Sequence, residues 1–212
     1  MSKLSSSAEE RIRAAARQVF LAKGYDGTTS RDIAEAAGLN VAMTNYYFRS
    51  KEKLFHLTFE EMFRQYFAGM QRTLNQEGLS LKERITALIE GEYANLRQHP
   101  DVPQFITHEM HRNPNLFKGT AKLDFAATEF GRQVAAAAAA GEIPALSPLQ
   151  IMALVVSNTT HPFVSKVMYL SLVGIDEAAY AVFTDQHELL VKDLILGYLF
   201  SQKNAAQAAM TG

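Results

Sequence analysis

Apolar residues recur at three- and four-residue spacing along almost the whole chain, in long runs separated by isolated Gly and Pro. That spacing belongs to α-helices, because positions three and four apart share a face. The first predicted helix covers about 8–23, with Ile12, Ala15, Ala16, Val19 and Phe20 as its stripe and Gly24 at a left-handed C-cap position. Two short helices follow. Thr29, three residues before Asp32, fits a capping-box variant, and the run 30–37 stops at Gly38. Asn40 is a favoured N-cap for a third helix ending near Phe48. Ser50 caps a fourth, which continues through Phe55, Phe59, Met62, Phe63, Tyr66, Phe67 and Met70. Further helices are predicted at about 80–98, 101–112, 117–140, 148–172 and 176–200, with a loop at 142–148. The six-alanine tract 135–140 reads as a helix end that allows close packing, since alanine has the highest helix propensity. Residues 201–212 lack a stripe and are expected to fray. The fold class is all-α.

Composition removes several alternatives. At 48% hydrophobic and 20% charged residues, the chain has enough apolar material for a core, which excludes global disorder. It contains no cysteine, so disulfides, cysteine-zinc sites, iron–sulfur clusters and thiol catalysis are excluded. The N-terminal residues lack the apolar centre of a signal peptide, and a cytoplasmic location is expected. Residues 149–175 carry one formal charge, Lys166. The polar run Ser157-Asn158-Thr159-Thr160-His161-Pro162 interrupts that stretch where a membrane span would be most apolar, so no membrane partner is expected.

The net charge of −1 argues at first against nucleic acid. Its distribution changes that picture. Residues 1–53 hold nine Lys/Arg and six Asp/Glu, a balance of +3, against −4 for residues 54–212. A modestly basic head on an acidic body predicts an interface that relies on hydroxyls, backbone amides and helix N-termini as well as on cations.

Within residues 28–53 the spacing is that of a helix-turn-helix. Ile33, Ala34 and Ala37 give the first short helix an apolar face, and Ala36-Ala37-Gly38-Leu39 is a small-residue turn that lets two helices cross closely. The second helix carries little charge and much aromatic surface, and such a helix inserts its N-terminal part into a DNA major groove. The residues Arg11-Ile12, Ala14-Ala15, Phe20, Lys23-Gly24-Tyr25, Thr28-Thr29, Ile33-Ala34, Ala37-Gly38-Leu39-Asn40, Tyr46-Tyr47-Phe48, Lys51 and Leu54 resemble, in order, the N-terminal domain of TetR/AcrR-type transcriptional regulators. The resemblance covers about 9–56; beyond residue 60 it is architectural only. It implies an all-helical homodimer of about nine helices per chain. A three-helix DNA-binding domain (1–53) would precede a larger effector-binding and dimerisation domain (54–212). It also implies a repressor of double-stranded operator DNA, released by a small molecule.

The site residues follow from the same comparison. Thr29 and Ser30 stand at a helix N-terminus, where they hold a phosphate, cap the helix, or do both. Arg31 matches a position that reaches a base or phosphate; a solvated arginine is the alternative. Asn40 opens the recognition helix. Val41, Ala42 and Met43 occupy groove-facing positions, where apolar side chains favour thymine-methyl contact or shape readout. Asn45 suits an adenine edge or a phosphate, Tyr46 and Tyr47 suit phosphates or packing on the first helix, and Lys51 matches the family's phosphate-contacting lysine. Phe48 and Leu39 read as core. Thr44 replaces the Leu or Ile usual in the family, its methyl packing inward and its hydroxyl expected to bond a preceding helix carbonyl.

In the larger domain, Tyr180, Phe183, His187, Leu190, Leu194 and Tyr198 form one stripe of the last helix, and Val182, Leu189, Leu196, Leu199 and Phe200 cover much of the rest. A helix apolar around most of its circumference must be buried on two sides. With 148–172, it suits a two-fold homodimer interface through 148–172 and 176–200. Pro162 is expected to kink its helix and turn Asn158, Thr159 and His161 toward a cavity, unless those groups satisfy one another or lie at the dimer seam. Phe63, Phe67, Tyr93, Phe105 and Phe125 are candidate pocket aromatics, with plain core as the alternative. His108-Glu109-Met110-His111 invites a metal-enzyme reading, but the histidines are three apart rather than four and no third ligand has motif spacing. The favoured role for His108, Glu109 and His111 is polar contact with the DNA-binding domain or at a pocket mouth. In the family this helix relays effector binding, which gives Glu109 or His111 a place in that relay. No cofactor, metal or catalytic residue is expected. A regulator lacking a small-molecule effector is the remaining alternative.

Overall fold

The structure, a computed structural model, describes residues 3–117 and 124–201. Among them are ten α-helices and no strand. They are α1 (Lys3–Lys23), α2 (Ser30–Ala36), α3 (Val41–Phe48), α4 (Lys51–Asn75), α5 (Leu81–Gln98), α6 (Val102–Arg112), α7 (Glu129–Ala139), α8 (Pro148–Val164), α9 (Lys166–Met168) and α10 (Glu177–Leu199). The helices pack as two compact units. The first holds α1, α2, α3, α4 through Phe67, and α6; the second holds the rest of α4, α5 and α7 to α10. Packing thus assigns α6 to the helix-turn-helix unit although it lies well beyond residue 53. No helix among the described residues is long and apolar enough to cross a membrane.

In the first unit the α1 stripe (Ile12, Ala15, Ala16, Val19, Phe20) is buried, as are Ile33, Ala34 and Ala37 of the α2 segment. Phe55 and Phe59 of α4 meet Phe105 of α6, with ring centroids 6.3 and 6.0 Å apart. α1 begins about five residues earlier than predicted, at Lys3 instead of near Ala8.

Two predicted helices are broken. The single helix expected over 117–140 gives way, where described, to a 3₁₀ turn at Phe125–Ala127 and a helix starting at Glu129. Thr128 caps it, its Oγ accepting the Gly131 N–H at 3.1 Å. A Cβ on Gly131 would stand 2.2 Å from the Phe125 carbonyl oxygen, so the chain closes here across a glycine. Residues 118–123 and the tail 202–212 lie outside the described residues. The alanine tract does end a helix, and of its members Ala137 is buried.

The run expected as one helix over 148–172 ends at Val164 and resumes as α9 and a π-helical turn, Tyr169–Val173. Pro162 lies inside α8, lacks the N–H that would bond the Asn158 carbonyl, and so loosens the last turn. Its own carbonyl accepts the Tyr180 hydroxyl at 3.1 Å, and burial pushes that phenol up to about 12. Nearby, the fully buried Tyr93 shares a hydrogen bond of 2.6 Å with His187 Nδ1. Burial, and secondly the charge of His161, hold the His187 imidazole below its ordinary range.

Arg84 anchors α5 to the end of α4. It is 0% exposed, on the face shared with Leu81, Ile85 and Leu88. Its Nη1 donates to the Thr73 carbonyl (2.5 Å), Nη2 to the Gln76 carbonyl (2.6 Å) and Nε to Gln133 Oε1 (2.9 Å). Thr73 belongs to the last turn of α4, whose carbonyls have no helical partner and carry the negative end of the helix dipole. A buried cation is tolerable there because each acceptor is fixed in place. Arg84→Met keeps the bulk and strands those acceptors. It should cost about 3 kcal/mol of stability, read as a lower denaturant midpoint with an unchanged m-value.

Candidate nucleic-acid interface

Local chemistry sets the two short helices. Thr29 Oγ accepts the Asp32 N–H (3.1 Å), and Asp32 Oδ2 accepts the Thr29 N–H (2.7 Å), a complete capping box. Lys23 Nζ lies 2.6 Å from Asp32 Oδ1. Lys23 first, and then the Thr29 hydroxyl, hold the Asp32 carboxyl far below the usual carboxylate range. At its other end α2 closes in a Schellman motif, with Leu39 N–H on the Ala34 carbonyl and Gly38 N–H on the Glu35 carbonyl. Gly38 has φ +62°, and a Cβ there would meet Arg11 Nη2 at 2.9 Å. That guanidinium donates to the Ala37 carbonyl at 2.6 Å, tying α1 to the turn. Asn40 Oδ1 then accepts the Met43 N–H (2.9 Å) and starts α3.

α3 is anchored by Thr44 and Phe48, both buried. Ala42, Asn45 and Tyr46 face outward, and Val41, Met43 and Tyr47 are half-buried. Tyr46 is 81% exposed, its ring edge-on to Tyr47 at 5.3 Å. Leu39 is half-buried, less enclosed than Phe48. Thr29 spends both its N–H and its hydroxyl on Asp32, leaving Ser30 and the exposed Arg31 as the free side chains at the start of α2. The hydroxyl expected to back-bond inside the helix does not do so: Thr44 Oγ1 is buried with no hydrogen-bond partner.

Lys51 is placed differently from a free phosphate contact. Its Nζ donates to the Tyr25 carbonyl (2.9 Å) and the Thr28 carbonyl (2.8 Å) and sits 4.1 Å from the Tyr25 ring centroid. One N–H of the ammonium is left over. The same residue is held from the other side by α6. Glu109, 0% exposed, accepts the Tyr25 N–H at 2.9 Å and the Arg112 Nε–H at 2.6 Å. Arg112 lies 4.4 Å from the Tyr25 ring centroid and 3.7 Å from Asp26. Tyr25, Asp26 and Arg112 carry no sequence mark of this role; the distance along the chain hides it.

The remaining candidates divide. In the first unit, Phe63 and Phe67 extend the α4 aromatic row with ring centroids 4.5 Å apart, and Phe105 is core. His108 and His111 are exposed, and His111 Nδ1 bonds the Thr107 carbonyl of its own helix. With Glu109 turned inward and both its oxygens engaged, the three side chains do not form a ligand set; among the described residues no cluster does. In the second unit, Tyr93 is fully buried and Phe125 half-buried. Asn158, Thr159 and His161 are not brought together. Thr159 is buried, His161 is exposed, and Asn158 donates to the Leu154 carbonyl beside an open groove. That groove, about 640 Å³, runs between α8 and α10 and is lined by Ala153, Leu154, Asn158, Leu194 and Tyr198 among others.

A box-capped helix, a left-handed glycine turn and a second helix with an anchored and an exposed face define a helix-turn-helix protein. Residues 12–58 match the sequence profile of the bacterial regulatory proteins of the tetR family. The chain therefore carries, over residues 12–58, a DNA-binding segment of the TetR-family type. It is 27% identical over 117 residues to a probable HTH-type transcriptional regulator YttP of Bacillus subtilis (strain 168), a match spanning 53% of this chain and 55% of that protein. Its fold is similar to that of a TetR family regulator from Marinobacter aquaeolei VT8 (TM-score 0.63, 17% identity, 94% of this chain and 98% of that one). A TetR family regulator from Pseudomonas syringae pv. tomato str. DC3000 is also similar (TM-score 0.59, 21% identity, 90% and 96%). So is the fatty acid degradation regulator FadR from Bacillus halodurans (TM-score 0.58, 17% identity, 90% and 95%).

The orphaned hydroxyl makes Thr44 a weak point of α3. Thr44→Val keeps the shape and removes the unsatisfied group. It should raise stability by about 1 kcal/mol, seen as a higher melting temperature. DNA affinity should stay unchanged, because the side chain faces inward.

Proposed function

We propose that this chain is a homodimeric repressor that binds operator DNA through α3 and is released by a small hydrophobic ligand. The observation that carries this reading is the division of α3 between an anchored face, Thr44 and Phe48, and an exposed face, Ala42, Asn45 and Tyr46. In the major groove, Val41, Ala42 and Met43 near the helix start offer methyl and thioether surface to thymine methyls, and Asn45 offers a bidentate amide to an adenine edge. Ser30, Arg31, Tyr46, Tyr47 and the leftover N–H of Lys51 face phosphates.

Operator binding by such a motif needs two copies, with recognition helices about 34 Å apart. The apolar groove between α8 and α10 supports a second copy of this chain as its occupant. α10 buries Tyr180, Val191, Ile195 and Leu199 within the chain and exposes Val182, Leu189, Leu190, Leu194 and Tyr198. Two-sided burial of this helix is then completed by the partner, as a self-complementary interface permits. Effector binding would act as an affinity difference between two conformations. Glu109, which joins α6 to the turn before the helix-turn-helix, is suited to transmit it.

Fluorescence anisotropy with a duplex from immediately upstream of the chain's own gene, beside a random-sequence duplex, tests the DNA reading. Asn45→Ala should weaken the upstream duplex by about tenfold or more and leave the random one unchanged. Equal affinity of the wild-type chain for both duplexes would overturn sequence-specific binding. Leu194→Glu places a charge in the groove. Light scattering should show the wild-type chain as a dimer and this variant as a monomer with weakened upstream binding; a monomeric wild type would refute the interface.

A further inference from the structure

Arg49 ends the recognition helix in a conformation that arginine rarely takes. Its φ is +62° and ψ −37°, and among the described residues no other non-glycine has positive φ. Its N–H closes on the Asn45 carbonyl at 2.9 Å, and the Ser50 N–H reaches back across it to the Phe48 carbonyl at 2.7 Å. That three-residue ring is a γ-turn of the positive-φ kind, rare and strained for any residue with a Cβ. Glycine would hold the same turn without strain. Nor does the side chain gain a compensating contact: it is exposed and makes no hydrogen bond or ion pair among the described residues. Elsewhere in the same unit, Lys23 is paired with Asp32, Lys51 donates to the turn carbonyls and Arg112 is paired with Glu109. Arg49 directly follows α3, whose Ala42, Asn45 and Tyr46 are exposed, and is itself exposed.

We propose that Arg49 binds a DNA backbone phosphate at the far end of the recognition helix, and that the strained turn is retained because it places a cation there. The proposal rests on the DNA-binding reading above. α3 has eight residues, a length of about 12 Å at roughly 1.5 Å per residue. The major groove is about 12 Å wide. With the start of α3 at the base edges, its end stands at the wall of the groove, where the phosphates are. A guanidinium there can pair with two phosphate oxygens.

The test compares Arg49→Gly, Arg49→Gln and Arg49→Lys with the wild-type chain on the upstream and random-sequence duplexes, across a range of salt, with melting curves of each protein. Arg49→Gly should melt higher than wild type, its turn relaxed, yet bind both duplexes several-fold more weakly. Its plot of log affinity against log salt should be shallower by about 0.9, the value of one phosphate contact. Arg49→Gln should show the same binding loss while melting like wild type, and Arg49→Lys should keep the wild-type salt slope. A wild-type chain that binds neither duplex overturns the DNA reading itself. Wild-type affinity and slope in both the Gly and Gln variants, on duplexes that the wild type does bind, overturns the role of Arg49 alone. A loss confined to the upstream duplex, with an unchanged slope, would make Arg49 a base reader and overturn the phosphate assignment.

Discussion

The helix-turn-helix of this chain depends on one residue, Tyr25, whose backbone is held on both sides of its Cα. The N–H of Tyr25 is taken by the buried carboxylate of Glu109, and its carbonyl by the ammonium of Lys51. The two partners come from α6 and from the first turn of α4. A turn between helices has few hydrogen bonds of its own, so its position is set by whatever grips it. Here the grip is charged at each end, and hydrogen bonds to ionised groups are the stronger kind. Two cations, Lys51 and Arg112, also lie over the Tyr25 ring. The direction in which α2 and α3 leave α1 therefore depends on α6 as much as on their own sequence.

The same unit carries two local conflicts, both in or just after the recognition helix, one on its buried face and one at its exposed end. Thr44 buries a hydroxyl without a partner, and Arg49 occupies a backbone region that glycine would hold more easily. Elsewhere in the helix-turn-helix each local choice agrees with the fold: a reciprocal capping box, a glycine at positive φ, a side-chain N-cap at Asn40. Where local consistency is given up in an otherwise consistent segment, function is the usual reason. Arg49 fits that account through its exposed cation. Nothing in the structure explains the hydroxyl of Thr44.

Much of the architecture was legible in the chain. The 3.6-residue period located α1 to α6, α8 and α10, because burying one face of a helix demands that pattern. The caps at Thr29, Asn40, Ser50 and Gly24 were readable because capping is satisfied within a few residues. The predictions failed where a distant or backbone-level constraint intervened. The helix expected over 117–140 is interrupted before Glu129, where a 3₁₀ turn folds its Phe125 carbonyl against Gly131 in the first turn of α7, and the run over 148–172 broke after Pro162. The three polar residues around Pro162 were grouped by sequence adjacency, but one helical turn sends Thr159 inward and His161 outward.

The sequence by itself determined the all-α class, the helix-turn-helix with its anchored and exposed residues, and the excess of apolar surface on α10. Each of these follows from periodicity or from bonds made within a turn of helix. Tertiary structure alone decided that Lys51 clasps a turn, that Glu109, among the places open to it, grips Tyr25 together with Arg112, and that Arg84 closes the end of α4. It also decided which face of α10 is left uncovered. The reason is physical. A charged side chain can be recognised in a sequence, but its partner is fixed by helices meeting across many residues of chain, and a long-range pairing leaves no local pattern to read.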